Sequence, residues 1–249
     1  MSALLEIRGL NRSFGGLRAI VDVTLDVAQG QFLGIIGANG AGKTTLLNLI
    51  TGYLKPTSGS IHFEGRPIHG LPPYRVARFG VGRTFQVVQP FAEMSVRDNV
   101  MTGALFSRHG DKRSLAEARQ VCEGPLAMVG LTARAEQLAG SLTLGAKKKL
   151  ELARALATEP KLLLLDEVMG GLTREEIGDL IAVLRRIREA GTTIVMIEHL
   201  VPVIVELCDY VHVLNFGKEL TRGLPDDVID DPAVIEAYLG KPMEQATAK

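Results

Sequence analysis

Apolar residues follow two rhythms along this chain. In the first third they alternate with polar residues over short stretches. Leu4–Leu10 reads as an opening strand, and Ala19–Val27 as a second with Val21, Val23, Leu25 and Val27 on one face. Between them Asn11–Gly16 reads as a turn carrying Phe14. Phe32–Ile36 is a continuous apolar run of strand length, and Ser60–Phe63 is a further strand between the turns Thr57-Ser58-Gly59 and Glu64-Gly65-Arg66-Pro67. Pro72–Ala77 predicts a short helix, and Gly80–Gln86 a strand that runs into Gln86. From Ser95 the period becomes helical. Ser95-Val96-Arg97-Asp98 comes close to a capping box, and helical patterns fill much of the chain to Leu138, broken around His109–Arg113 and at Gly130.

A strong helix starts near Leu142, with Leu150, Leu152, Ala153, Leu156 and Ala157 on its apolar face, and Pro160 stops it. Leu162–Leu165 then lead into Asp166-Glu167, the pattern of a fully buried strand with carboxylates at its C-terminal end. Thr173–Ala190 predicts an amphipathic helix that buries Ile177, Leu180, Ile181, Leu184 and Ile187, capped by Gly191. Thr192–Glu198 is a second buried strand with His199 just past it. Val201–Cys208 is helical, with Pro202 in the first turn where proline is tolerated. Tyr210–Asn215 and Glu219–Arg222 form a hairpin about Phe216-Gly217-Lys218, and Asp231–Leu239 a last helix before a polar tail, 241–249, expected to be disordered. Strand and helix alternate from 160 to 210, which predicts an α/β fold with a parallel sheet. No internal repeat is visible.

The stretch with the most chemistry is Gly37-Ala38-Asn39-Gly40-Ala41-Gly42-Lys43-Thr44-Thr45, which fits G-x-x-x-x-G-K-[ST] between a predicted strand and a predicted helix. Glycines let backbone N–H groups close around phosphate oxygens, and the helix start adds unpaired donors and a positive dipole end. Lys43 is placed to reach the β- and γ-phosphates and the Thr44 hydroxyl to ligate Mg²⁺. The chain is therefore expected to bind a nucleoside triphosphate. Gln86, Asp166, Glu167 and His199 each end a predicted buried strand, so an open sheet would gather them along one edge with this loop. Asp166 suits the acid that holds Mg²⁺ and Glu167 a general base. His199 suits a γ-phosphate contact or proton relay, and Gln86 a sensor of the metal and the attacking water. Phe14 reads either as a core aromatic or as a platform for a base, and the glycines after it favour the platform.

Composition narrows the partners. Across 249 residues 28 Lys and Arg balance 28 Asp and Glu, so no basic face argues for nucleic acid. Cys122 and Cys208 stand alone without metal-site spacing, which fits a reducing compartment. No apolar run reaches the roughly 18 residues of a membrane span, and Glu6 and Arg8 sit where a signal peptide would need its apolar stretch.

Taken together these motifs resemble the ATP-binding subunits of ABC transporters over nearly the whole chain. Phe14 matches the family's adenine-stacking aromatic, Gly37–Thr44 its Walker A loop, Gln86 its Q-loop, Leu162–Asp166 its Walker B strand, Glu167 its catalytic glutamate and His199 its switch histidine. Leu142-Thr143-Leu144-Gly145-Ala146 aligns with the family signature, Leu-Ser-Gly-Gly-Gln. No Asn-Lys-x-Asp guanine motif is present. The resemblance implies a P-loop NTPase with a RecA-like core, an antiparallel β region and an inserted helical subdomain. One domain would span 1–240, with a core of 1–90 and 141–240 and helices over about 91–140. It implies ATP and Mg²⁺ as ligands, hydrolysis to ADP and phosphate, and a homodimer or heterodimer with a second ATPase subunit. Thr143 and Gly145 would there cover the partner's γ-phosphate. Transmembrane permeases, and through them a periplasmic or extracellular substrate-binding protein, would complete a peripheral assembly on the cytoplasmic face of the membrane.

Gly82-Arg83-Thr84-Phe85-Gln86 and Tyr238-Leu239-Gly240 resemble the branched-chain amino acid and amide importers. The ATPase of lipopolysaccharide export is the nearest rival, and a binding module with impaired hydrolysis is the rival from another class. DNA-repair and translation ATPases of related fold are disfavoured by the neutral charge and the single nucleotide unit. Departures from the family pattern feed the second rival: Leu144 and Ala146 replace glycine and glutamine, Val168 stands for proline, and Thr173 for an aspartate of the inter-subunit loop.

Lys147-Lys148-Lys149 is unusual, because each cation in a helix's first turn costs about 0.3–1 kcal/mol. It reads either as a solvated face or as cations offset by the partner's ATP. On the second reading Lys147→Glu weakens ATP-driven dimerisation, measured by sizing with hydrolysis blocked. Unchanged dimerisation rules that reading out.

Overall fold

A computed structural model describes residues 3–86, 88–107 and 113–239. The chain opens with strands β1 (Ala3–Phe14), β2 (Leu17–Ala28) and β3 (Phe32–Ile36), followed by helix α1 (Lys43–Ile50). Strands β4 (Ser58–Phe63) and β5 (Arg66–Pro67), helix α2 (Pro73–Phe79) and strand β6 (Val81–Arg83) come next. Helices α3 (Val96–Leu105), α4 (Leu115–Met128) and α5 (Leu144–Leu156) precede strand β7 (Leu162–Asp166). Helix α6 (Arg174–Glu189), strand β8 (Thr193–Ile197) and helix α7 (Val201–Leu207) follow. The hairpin β9 (Tyr210–Asn215) and β10 (Lys218–Gly223) and helices α8 (Pro225–Ile229) and α9 (Pro232–Leu239) close the described chain.

Two sheets result. The smaller is antiparallel, in the order β2-β1-β4-β5, and the larger runs β10-β9-β3-β8-β7-β6. In the larger sheet β9, β3, β8, β7 and β6 are parallel and only β10 runs against its neighbour. The fold class expected from the sequence is therefore present, a mixed α/β architecture with a separate antiparallel region. Every residue of β3, β7 and β8 is buried, and alternate residues serve different cores. Phe32, Ile36, Leu163, Leu165, Ile194 and Met196 join the core beneath α3 to α6. Leu33, Ile35, Leu162, Leu164, Val195 and Ile197 join that of α1 and the antiparallel sheet. This is why these strands read as unbroken apolar runs: both faces are covered.

Several local expectations change in the structure. β1 continues to Phe14, so that residue ends a strand, and the turn is Gly15–Gly16. The single face expected for β2 is broken by a bulge. Asp22 takes φ 55° opposite Gly9 at φ 54°, and the Asn11 side chain accepts the Asp22 N–H at 3.1 Å. Ile20 therefore joins Val23, Leu25 and Val27 in the core, and Val21 is left half-buried. β6 stops at Arg83, three residues short of Gln86. Helix α5 begins at Leu144 with Thr143 as its cap, and α8, which no clear periodicity announces, follows the hairpin. The predicted break at 108–112 and the tail 241–249 lie outside the described residues. Ser95 does cap α3, its hydroxyl accepting the Asp98 N–H at 3.0 Å.

Leu164 is fully buried at the centre of the larger sheet. Leu164→Ala is expected to lower unfolding free energy by about 2–5 kcal/mol, read as a lower urea midpoint. An unchanged midpoint would contradict this packing.

Candidate active site at the strand ends

Register decides where the chemistry collects. Ile35 of β3 pairs with Ile197 of β8, and Ile197 with Asp166 of β7, so these three parallel strands finish level. Whatever follows each strand is therefore delivered to one edge: the glycine-rich loop after Ile36, Glu167 after Asp166, and Glu198-His199 after Ile197.

The loop is shaped by backbone that a side chain would obstruct. Gly40 and Gly42 take φ 80° and 104°, and a Cβ on Gly42 would lie 2.6 Å from the Ala19 carbonyl oxygen. A Cβ on Gly37 would collide with the Leu214 carbonyl. The Gly217 N–H donates to the Ala41 carbonyl at 3.0 Å, so the β9–β10 turn braces the loop. Lys43, the first residue of α1, is buried and donates from Nζ to the carbonyls of Gly37 at 2.7 Å and Ala38 at 3.1 Å. Burial pushes its pKa below the usual lysine value, against the opposing pull of Glu167 and Asp166. A cation so weakly compensated favours an arriving polyanion.

The two carboxylates at the end of β7 have different surroundings. Glu167 takes φ 49°, a left-handed backbone that turns it away from the line of Asp166. Its Oε2 accepts from Gln86 Nε2 at 2.7 Å, and its Oε1 lies 2.6 Å from His199 Nε2. Three residues from three connections are thereby joined on one carboxylate, although Gln86 and His199 both stand beyond their strands. Asp166 is buried, and its Oδ2 accepts from Arg83 Nη2 at 2.9 Å. Arg83 Nη1 also donates to Asn48 Oδ1 at 2.7 Å, tying Asp166 to α1. Among the described residues Asp166 Oδ1 has no hydrogen-bond partner.

Asp166 lines a cavity of about 780 Å³ together with Thr44 and Gln86. A divalent cation held by Thr44 and Asp166 fits this donor set, because hard oxygen ligands and an uncompensated buried carboxylate oxygen are what Mg²⁺ requires. Among the described residues no group of three or more His, Cys, Asp or Glu forms a metal site by itself, so such a cation would depend on phosphate oxygens as well.

Phe14 is 42% exposed, and the Arg12 guanidinium carbon lies 4.4 Å from its ring centroid, which covers one face. Thr143 and Gly145 do not line the cavity. The Thr143 hydroxyl accepts the Ala146 N–H at 3.3 Å and keeps its own proton to donate. A Cβ on Gly145 would meet the carboxylate end of the Glu176 side chain, which caps α6 through Thr173. Thr173, in place of the family's aspartate, caps α6 in a full capping box with Glu176.

Two supporting residues escaped the sequence reading. Glu198 is buried, accepts the Met169 N–H at 2.8 Å and the His199 N–H at 3.3 Å, and its pKa is raised by burial. Its carboxylate thereby joins the backbone of Met169 to that of His199. Arg83 is the other, and a charge inside an apolar run was the signal for both. The lysine triplet is not a solvated face: Lys149 Nζ pairs with Asp179 Oδ2 at 3.1 Å, and Lys148 is buried.

Comparison with known proteins gives the family. Residues 20–170 match the family described as ABC transporter, and residues 219–243 the one described as branched-chain amino acid ATP-binding cassette transporter. The chain is 40% identical to the high-affinity branched-chain amino acid transport ATP-binding protein BraF of Pseudomonas aeruginosa, over 96% of this chain and 98% of that protein. It is 38% identical to LivG, of the same description, from Escherichia coli, with the same coverage. A crystal structure of a nucleotide-free ATP-binding cassette from an ABC transporter superposes with a TM-score of 0.88 at 29% identity, over 96% of this chain and all of that one.

Removing one member of a buried ion pair leaves the other uncompensated, at a cost of about 3–5 kcal/mol. Arg83→Met is therefore expected to lower thermal stability, and Mg²⁺ with ATP to restore more of it than they add to the parent chain, measured by calorimetry. Equal stability of variant and parent would show that Asp166 does not depend on Arg83.

Proposed function

The chain belongs to the ABC transporter family as one of its ATP-binding, ATP-hydrolysing subunits, and we propose that it powers import of branched-chain amino acids or related amides. The observation that carries the catalytic part is the Glu167 carboxylate held between Gln86 and His199 beside the phosphate loop. The substrate class rests on the relatives named above and on the match over 219–243.

On this reading Gly37–Thr45 wrap the phosphates of ATP, and Lys43 exchanges two backbone carbonyls for β- and γ-phosphate oxygens. The uncovered face of Phe14 stacks on adenine. Thr44 and Asp166, with Gln86, hold Mg²⁺, which when bound neutralises charge on the β- and γ-phosphates. Glu167 takes a proton from water as its oxygen attacks the γ-phosphorus. The bond to the β-phosphate bridging oxygen breaks, and ADP and phosphate are left. His199 orients the carboxylate and meets the γ-phosphate.

A second ATP-binding chain, a copy of this one or a related subunit, completes the site with its Thr143 hydroxyl and the N–H groups at the start of its α5. ATP then favours the closed pair and hydrolysis releases it. Residues 1–240 act as one domain in which the helical block 91–140 receives a permease. Exposed Tyr53, Tyr74 and Phe85 beside the cavity offer an apolar seat for a permease segment next to Gln86. Among the described residues no helix is long and apolar enough to cross a membrane, so attachment to the inner membrane face would come through such partners. The altered residues Leu144, Ala146 and Thr173 favour the second reading, a nucleotide-dependent module with slowed hydrolysis.

General-base catalysis is worth about 10²–10⁴-fold. Glu167→Gln is expected to reduce turnover by that order while ATP-dependent pairing persists, measured by phosphate release and by sizing. Unchanged turnover would remove Glu167 from its role, and negligible turnover in the parent chain with its permeases would favour the module.

A further inference from the structure

Helix α5 carries two buried charges that the mechanism above does not use. Lys148 is 6% exposed and Glu151 8%, one helical turn apart. Lys148 Nζ donates to the main-chain carbonyl of Glu167 at 3.3 Å. Glu151 Oε1 accepts the N–H of Phe85, the residue before Gln86, at 2.5 Å. The two residues thus grip the backbone on both sides of the Gln86–Glu167 hydrogen bond. Lys148 also fixes the carbonyl of a residue in the left-handed region, and it is this backbone that aims the Glu167 carboxylate.

A buried lysine in the second turn of a helix is opposed by desolvation. Core packing alone would be better served by an apolar residue there. The arrangement makes sense if α5 has to move the catalytic loops. Its tip, Thr143–Gly145, lies roughly 5 Å along the axis from Lys148 and roughly 9 Å from Glu151, at about 1.5 Å per residue.

We propose that Lys148 and Glu151 are positioning residues that make α5 a lever: contact of its tip with the partner's nucleotide sets the alignment of Gln86 and Glu167 in its own chain. This rests on the reading that the tip meets a partner's ATP.

The lever predicts which site suffers when it is cut, and two differently tagged copies of the chain can separate the sites. In the first mixed pair, Lys148→Met and Glu151→Ala are placed in the chain with intact Glu167, and the partner carries Glu167→Gln. Phosphate release is expected to fall about tenfold in kcat, as for misplaced catalytic groups, with KM for ATP within about twofold. In the second pair, both lever changes share a chain with Glu167→Gln and the partner is otherwise intact; release is expected to stay within about twofold of the pair without them. Glu151→Gln, whose amide oxygen can still accept the Phe85 N–H, should restore most of the loss due to Glu151→Ala in the first pair. Equal losses in both pairs, or a loss only in the second, would overturn the lever and leave Lys148 and Glu151 as supports of the tip. Failure of Glu167→Gln chains to pair in ATP would overturn the pairing reading, and the lever with it.

Discussion

The site turns on one carboxylate whose direction is set by its backbone. Glu167 sits at φ 49° immediately after a fully buried strand, and that conformation points its side chain at Gln86 and His199 while Asp166 stays on the line of the strand. Neighbouring acids are thereby given different work. Asp166 is enclosed with Arg83 and keeps one oxygen open, whereas Glu167 reaches two groups from other parts of the chain. Such a division depends on strands that end level, which the pairing of Ile35, Ile197 and Asp166 provides.

Buried charge is the second theme. Lys43, Asp166, Glu198, Lys148 and Glu151 are all taken out of water, and each is met by backbone groups or a single opposite charge. Groups held this way cost free energy that apolar residues would not, so their clustering around one sheet edge marks a site organised to change partners. Lys43 donates to two carbonyls and Asp166 keeps an oxygen that no described residue meets, groups that a nucleotide and its metal would engage. Glu198 and α5 link that edge to the segments expected to face a second subunit.

Much of this was legible in the residues themselves. The Gly37–Thr45 loop, the Leu162–Asp166 strand and the amphipathic α6 announce themselves through local spacing, and the structure places them as read. The errors come from interactions that spacing does not encode. The β2 phase slips because Asp22 and Gly9 form a bulge across two strands, and Gln86 escapes β6 because β6 pairs with β7 only as far as Arg83. Lys148 looked solvated because a one-dimensional pattern cannot show that a carbonyl 19 residues away waits beneath it.

On the proposed mechanism Glu167, aimed by its backbone, activates the attacking water. A crystal structure of the chain with Mg²⁺ and a non-hydrolysable ATP analogue tests it most directly. An ordered water is expected beside the γ-phosphate within about 2.6–3.2 Å of the Glu167 carboxylate, with Asp166 Oδ1 turned to the metal's shell. A Glu167 side chain still engaged only by Gln86 and His199, with no water within reach of its carboxylate in the closed pair, would contradict it.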